Sequence, residues 1–282
     1  MLVIEKIQEL RKTLTGLANR DMKVGLVPTM GYLHEGHLSL IRRAKAENDL
    51  VVVSIFVNPA QFGPNEDFQR YPRDLERDQE LAEAAGTDIL FAPEVGEMYP
   101  EGYQTYVEVT GGVARRMCGA SRPGHFRGVA TVVLKLFNIV EPDRAYFGEK
   151  DAQQLRVIRR MARDLNLKVE IIGCPIVREA DGLALSSRNV YLNQAERKAA
   201  LILYRTLSRA KELIEIGERD AAVLREQLIK TIAAEPSASL DYLEIADSES
   251  LEPVAKLTGE IIIALAVRIG TTRLIDNMVF RL

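Results

Sequence analysis

The sequence predicts a doubly wound α/β fold followed by a smaller C-terminal α+β domain, and three observations predict it. Short β-rich runs alternate with helix-period segments from residue 24 to residue 172. Those runs are apolar almost throughout, as strands buried on both faces of a parallel sheet require. After about residue 186 the alternation stops, and two helical stretches precede three consecutive strand-like runs, the order typical of an α+β domain. The expected division is 1–185 and 186–282.

The elements follow in order. Residues 24–27 form a first apolar run ending at Pro28, and residues 50–57 form a second that is nearly all β-branched or aliphatic. Between them Leu38, Ile41 and Ala44 keep a helical spacing, which makes the segment a βαβ unit. Residues 74–85 are expected as a helix stopped by Gly86, and 88–91 as the next strand. A helix at 129–140, a strand at 145–147, a helix at 151–165 and a strand at 169–172 continue the pattern. In such sheets ligands bind beyond the carboxyl ends of the strands, near the topological switch point. Helices at 194–216 and 220–234, then strands at 240–245, 260–267 and 272–280, make up the second domain.

Composition narrows the function. Of 282 residues, 47% are hydrophobic and 27% charged, values of ordinary soluble globular proteins. The net charge is −3 and the cations are scattered, unlike the concentrated basic footprint of a nucleic-acid binder. A small anionic ligand needs only a few local cations and stays open. Cys118 and Cys174 are the two cysteines, too few for a disulfide framework, so a reducing compartment is expected. The first residues, Met1-Leu2-Val3-Ile4-Glu5-Lys6, bring charges too early for a secretory signal. No apolar stretch approaches the ~18–20 residues of a membrane span. A cytoplasmic protein without a membrane partner is the expectation, and neither repeats nor low-complexity segments interrupt it.

The segment richest in chemistry is Pro28-Thr29-Met30-Gly31-Tyr32-Leu33-His34-Glu35-Gly36-His37. It leaves the first of those strands and enters the following helix, whose N-terminal N–H groups suit a phosphate. Gly31 and Gly36 let backbone approach a ligand closely. A zinc hydrolase would set its histidines four apart, whereas His34 and His37 are three apart and no third ligand is evident, so no metal ligands are assigned. Two readings remain: the histidines cap and pack the helix start, or they face a nucleotide's phosphates. The setting favours the second.

Other positions fit that setting. Asn58 and Gln61 lie just past the next strand, where their amides suit a substrate's hydroxyl and carboxylate; a plain turn and cap is the alternative. Gly148-Glu149-Lys150-Asp151 occupies a further strand-to-helix junction. There Lys150 suits phosphate oxygens and Asp151 suits the helix cap, unless the tetrapeptide is only a solvated charge run. Gln154 lies one turn on. Ser186-Ser187-Arg188 offers two hydroxyls and a guanidinium able to fork onto a phosphate. His125 is expected to order a loop. Asp78 is expected on a solvated helix face, with a magnesium role the lesser alternative.

His34-Glu35-Gly36-His37 resembles the HxGH signature of the nucleotidyltransferase superfamily, and 28–37 resembles the pantothenate synthetase family in particular. The likeness continues through Phe56-Val57-Asn58-Pro59-Ala60-Gln61-Phe62, Phe147-Gly148-Glu149-Lys150-Asp151 with Gln153-Gln154, and Leu185-Ser186-Ser187-Arg188-Asn189. The tail also resembles the family at Asp241-Tyr242 and Thr271-Thr272-Arg273-Leu274-Ile275-Asp276-Asn277. Some members carry Met where this chain has Leu185. The resemblance implies a Rossmann-like first domain under a C-terminal lid. It implies a homodimeric enzyme that joins pantoate to β-alanine with ATP and Mg²⁺, through a pantoyl-adenylate, releasing AMP and pyrophosphate. By the same resemblance the ATP site comprises Met30, Gly31, His34, Gly36, His37, Gly148, Glu149, Lys150, Asp151, Val177, Leu185, Ser186, Ser187 and Arg188. His37, His34, Lys150 and Arg188 are the implied catalytic groups, and Gln61, Gln154 and Asn58 the implied contacts to pantoate and β-alanine.

Overall fold

The computed structural model describes residues 1–17 and 22–282. It opens with β1 (Leu2–Ile4) and α1 (Ile7–Leu17), then β2 (Val24–Thr29), α2 (Glu35–Glu47), β3 (Leu50–Ile55), α3 (Leu75–Ala84) and β4 (Ile89–Phe91). Three single turns follow, α4 (Val95–Met98), α5 (Gly112–Arg115) and α6 (Cys118–Ser121). Next come α7 (His125–Val140), β5 (Arg144–Gly148), α8 (Ala152–Asp164) and β6 (Glu170–Cys174). The chain ends with α9 (Gln194–Ala199), α10 (Ile202–Glu215), α11 (Ala221–Ala233), β7 (Ala238–Asp247), β8 (Glu260–Ile269) and β9 (Thr272–Arg281).

Each expected element is present, with three differences that have physical reasons. β2 runs on through Pro28 to Thr29, paired with Ser54 and Ile55 of β3. Its other neighbour, β5, pairs only at Gly25 and Leu26, so the N–H that Pro28 lacks has no ladder position there. The single helix expected at 194–216 is two, because Leu201 N–H donates to Lys198 O and Leu203 N–H to Ala200 O. These tightened bonds interrupt the α-helical ladder. β1 and α1 were not expected; three residues are too few to show a period, yet β1 pairs in parallel with all of β4.

The chain forms two compact units. The first comprises Met1–Val109, Arg122–Glu149 and Val157–Pro175, the second Thr110–Ser121, Lys150–Arg156 and Ile176–Leu282. The boundary expected at 185/186 falls within the last of these runs.

The first unit holds a six-stranded parallel sheet in the order β1-β4-β3-β2-β5-β6. From β2 the chain builds outward through β3 and β4, then returns to add β5 and β6 on the other side. The switch point therefore lies between β2 and β5. Val51, Val52 and Val53 are all fully buried, as a sheet covered on both faces demands. One face packs Val27, Val51, Val53 and Leu90 under Leu38, Ile41 and Ala44 of α2.

The second unit holds an antiparallel sheet in the order β7-β8-β9. On one face Ile261, Ile263, Leu265 and Val267 of β8 join Leu203 and Leu207 of α10 and Leu224 and Leu228 of α11. On the other, Ile262 and Ala264 meet Met117, Ala152 and Leu251. The strand alternates sides with period two and is buried on both.

Candidate active site

The turn after β2 is built by a buried carboxylate. Gly31 (φ 81°) and Tyr32 (φ 51°) are consecutive left-handed residues, a conformation that costs free energy at tyrosine unless something holds it. Asp78 of α3 holds it: Tyr32 N–H donates to Oδ2 at 2.6 Å and Leu33 N–H to Oδ1 at 2.7 Å. A Cβ on Gly31 would stand 2.9 Å from that same Oδ2, so the approach requires glycine. The Asp78 side chain is 1% exposed, which corrects the solvated-face expectation. Its carboxyl is pushed up by burial and pulled back by the two N–H donors and Arg77.

The turn delivers two imidazoles to the start of α2. His34 is the N-cap, and its Nδ1 accepts from Gly36 N–H at 3.1 Å. His37, three residues on, accepts at Nδ1 from His34 N–H at 3.3 Å. The rings lie 4.0 Å apart, tilted by 33°, and both are partly exposed. The capping alternative is thus realised, and it has a chemical consequence. With each Nδ1 accepting from backbone, a neutral ring carries its proton on Nε2. Each histidine is then a hydrogen-bond donor at Nε2, beside the positive end of a helix.

The amide pair after β3 is organised differently from the sequence expectation. Asn58 is 1% exposed. Its Nδ2 donates to Gln61 Oε1 (3.0 Å) and Gly128 O (3.2 Å), while Oδ1 accepts from Tyr99 OH (2.8 Å) and Ala60 N–H (3.3 Å). Two donors and two lone pairs are committed within the protein, so Asn58 orients Gln61. Gln61 Nε2 in turn donates to Met30 Sδ at 3.1 Å, which joins the turns after β2 and β3. Gly128 of α7 permits this packing: a Cβ there would lie 2.2 Å from Ala60 O.

Beneath Gln61, His125 orders the loop as expected. Its Nδ1 lies 2.8 Å from Gln61 O and its Nε2 2.9 Å from Arg122 Nη1. Arg122 can only donate, so His125 accepts at Nε2 and donates from Nδ1 to Gln61 O. Arg122 also forks onto Glu66, from Nε at 2.6 Å and Nη2 at 2.7 Å. Burial pushes the Glu66 carboxyl up, but Arg122, the Gly63 N–H and His125 outweigh it and hold it near about 2.

Gly148 ends β5, the strand beside β2, and Glu149 opens the 3-10 turn after it, both in the first unit. The second unit carries the remaining candidates. Lys150 and Asp151 finish a 3-10 turn, Glu149–Asp151, with Lys150 Nζ 3.7 Å from Asp151 Oδ2. Gln154 is partly exposed on the first turn of α8, while its neighbour Gln153 is buried and holds the main chain at Val113, Arg116 and Cys118. Leu185 N–H donates to Val177 O at 3.0 Å, so these two form one short hairpin. Ser186, Ser187 and Arg188 are a capped 3-10 turn rather than an open loop: Ser186 Oγ accepts from Arg188 N–H, and Ser187 is 6% exposed.

Among the described residues no three His, Cys, Asp or Glu side chains gather as a metal site. No described helix is long and apolar enough to cross a membrane.

This fold and turn place the first unit among doubly wound α/β domains carrying the His-x-Gly-His signature at the switch strand. The chain belongs to the pantoate–β-alanine ligase family, whose model matches residues 2–279. It is accordingly an enzyme, a ligase. Pantothenate synthetases of Acetivibrio thermocellus and Heliobacterium modesticaldum are 60% and 63% identical to it over 279 residues, covering 99% of each chain. The crystal structure of pantothenate synthetase from Thermus thermophilus superposes with a TM-score of 0.94 at 52% identity, covering 99% of both chains. The Francisella tularensis pantoate–β-alanine ligase, solved complexed with β-γ ATP and β-alanine, matches with a TM-score of 0.82 at 38% identity, over 99% of this chain and 97% of that one.

Proposed function

We propose that the chain condenses pantoate with β-alanine at the expense of ATP, through a pantoyl-adenylate, releasing pyrophosphate and then AMP. The supporting observation is the turn after β2, where two imidazoles with Nδ1 committed to backbone present Nε2–H donors at a helix N-terminus. In the first step a pantoate carboxylate oxygen attacks the α-phosphorus in line, and the bond to the pyrophosphate oxygen breaks. The nucleophile is already an anion, so the protein need supply no strong base. Its tasks are to position the reactants and to stabilise charge on the phosphoryl oxygens. His34, His37, Lys150 and Arg188 supply those contacts, and His37 donates from Nε2.

Met30, Gly31, Gly36, Gly148, Glu149, Asp151, Val177, Leu185, Ser186 and Ser187 complete the ATP contacts in this reading. Gln61 and Gln154 contact pantoate, and Asn58 acts through Gln61. The β-alanine amine then attacks the activated carbonyl, AMP leaves, and the amide forms. Mg²⁺ belongs with ATP as part of the co-substrate, because a hard cation that keeps waters and binds phosphates needs no protein cage. The same family reading carries a homodimer and a cytoplasmic location.

Pantoate-dependent exchange of labelled pyrophosphate into ATP, without β-alanine, tests the intermediate. Exchange that proceeds equally without pantoate, or only once β-alanine is added, overturns it. An adenylyl group retained on the product in place of free AMP would instead assign an adenylyltransferase.

A further inference from the structure

The tail of the sequence carries two buried polar residues that the reaction above does not use. Asp276 and Asn277 are 3% and 4% exposed, on β9 opposite Leu265 and Ala264 of β8. Consecutive strand residues point to opposite faces, and these two do so with separate tasks inside the second unit. Polar groups at such depth cost free energy unless they are fully bonded, and apolar residues of similar size serve a fold as well or better.

On one face Arg178 forks onto Asp276, from Nη1 at 2.6 Å and Nη2 at 2.8 Å. Arg178 also donates to Gly182 O at 3.0 Å and to Asn277 O at 3.3 Å, and lies over the Tyr204 ring at 5.0 Å. Asn277 N–H donates to Asp276 Oδ1 at 2.8 Å. The main chain at Asn277 is therefore gripped at both its N–H and its carbonyl. On the other face Asn277 Nδ2 donates to the carbonyl of Lys150 at 3.0 Å. Lys150 sits in the one-turn 3-10 segment Glu149–Asp151, whose own hydrogen bonding is poor. Burial pushes the Asp276 carboxyl up, while Arg178, the Asn277 N–H and the Lys150 charge pull it back, so the lysine's field reaches this pair.

We propose that Asn277, anchored by the Arg178 fork on buried Asp276, is a positioning residue for Lys150, fixing the main chain from which that side chain reaches the nucleotide phosphates. Arg178 follows Val177 directly, so one anchor sets both the lysine and the strand assigned to adenosine. The proposal rests on the phosphate role given to Lys150 above.

A double-mutant cycle tests it, read by pantoate-dependent pyrophosphate exchange and by thermal unfolding. Asn277→Ala removes the donor, and Asn277→Asp sets an acceptor against the Lys150 carbonyl at nearly unchanged size. Each is expected to lower kcat about 10–100-fold, the scale of a small misplacement of a reacting group, with KM for pantoate unchanged. Asn277→Ser, which keeps a donor, recovers part of the rate and covers the case in which the alanine variant folds poorly. In a Lys150→Ala background, adding Asn277→Ala is expected to change kcat less than about twofold, because the residue it positions is gone. Equal losses in both backgrounds would show that Asn277 acts through the fold at large, and the proposal fails. Wild-type kcat in Asn277→Ala and Asn277→Asp, with Lys150→Ala slow, sinks the positioning role alone. A fast Lys150→Ala enzyme sinks the phosphate role and this proposal with it.

Discussion

The two compact units hold their candidate residues by different means. In the first, side chains grip the functional groups themselves or the short turns that bear them. Asp78 bonds the turn at Tyr32 and Leu33, Gly36 N–H and His34 N–H donate to the ring Nδ1 atoms of His34 and His37, and Asn58 bonds the Gln61 amide directly. In the second, the grip is on main chain, through Asn277 at the Lys150 carbonyl, and the lysine's four-carbon stem extends beyond it. The first arrangement fixes the orientation of rings and amides, which suits recognition by shape and hydrogen-bond direction. The second fixes only the root of a point charge, which suits a phosphate that accepts an ammonium from many directions.

The largest test of this contrast compares His37→Ala with Lys150→Ala. Both are expected to slow adenylation by about 10²–10³-fold, or about 3–4 kcal/mol. Their stabilities should diverge. Loss of His37 also removes an acceptor for His34 N–H at the helix start, a cap worth about 1 kcal/mol, whereas Lys150→Ala leaves the Asn277 bond to the main-chain carbonyl in place and is expected to cost less. Single-turnover rates and urea unfolding on the same variants separate the two effects. A His37→Ala protein that is less stable yet turns over at the wild-type rate would make the ring a cap and nothing more.

Much of the fold was legible because its signals are local. Apolar runs of strand length, helix-period segments between them and the stop at Gly86 lie within a few residues of the structure they specify. So does the His34–His37 spacing. The roles that were missed depend on partners far along the chain. Asp78 binds a turn 45 residues earlier, Arg122 reaches Glu66 across 56 residues, and Asn277 reaches Lys150 across 127. An aspartate in the first turn of a polar helix looks like a dipole-friendly surface residue, and nothing nearby says that its carboxylate is buried. Asn58 shows the converse. Its position beyond a strand was legible, but an amide reads the same whether its four sites face a ligand or, as here, Tyr99, Gln61, Gly128 and Ala60.

Asp78 gives the next test, smaller in rate and larger in stability. Asp78→Ala strips partners from the buried N–H groups of Tyr32 and Leu33, at about 1–3 kcal/mol for each donor left unsatisfied. It also frees a turn whose left-handed residues the carboxylate holds. Asp78→Asn keeps one acceptor and is expected to lose roughly half as much. Both variants should raise KM for ATP, because the turn carries His34 and His37. Thermal unfolding and ATP titrations check the order Ala, Asn, wild type. Equal stability of all three would mean that the turn holds its shape through Gly31 and the bond from Arg77 Nη2 to Leu33 O at 3.0 Å.

The smallest effect lies in the Glu66–Arg122 pair under Gln61, and it carries a sign. Glu66 is held near about 2 in the folded protein, against 4.5 for the ordinary glutamate. A carboxyl lowered on folding contributes stability that is complete above its unfolded value and is lost as pH falls through its folded one. The window therefore runs from about pH 4.5 down to about pH 2. That difference would correspond to about 3 kcal/mol at most, and solvent reaching a side chain that is 25% exposed reduces this to about 1–2 kcal/mol. Glu66→Gln keeps the shape and removes the charge. Its deficit against wild type, measured by urea unfolding, is expected to be full at about pH 6 and to shrink steadily below about pH 4.5. The His125 bond to Gln61 O at 2.8 Å, and a longer one from Arg122 Nη2 at 3.4 Å, do not depend on the Glu66 charge, so pantoate KM should rise only severalfold. A deficit that stays constant down to about pH 2 would mean that Glu66 holds the loop by packing and not by its charge.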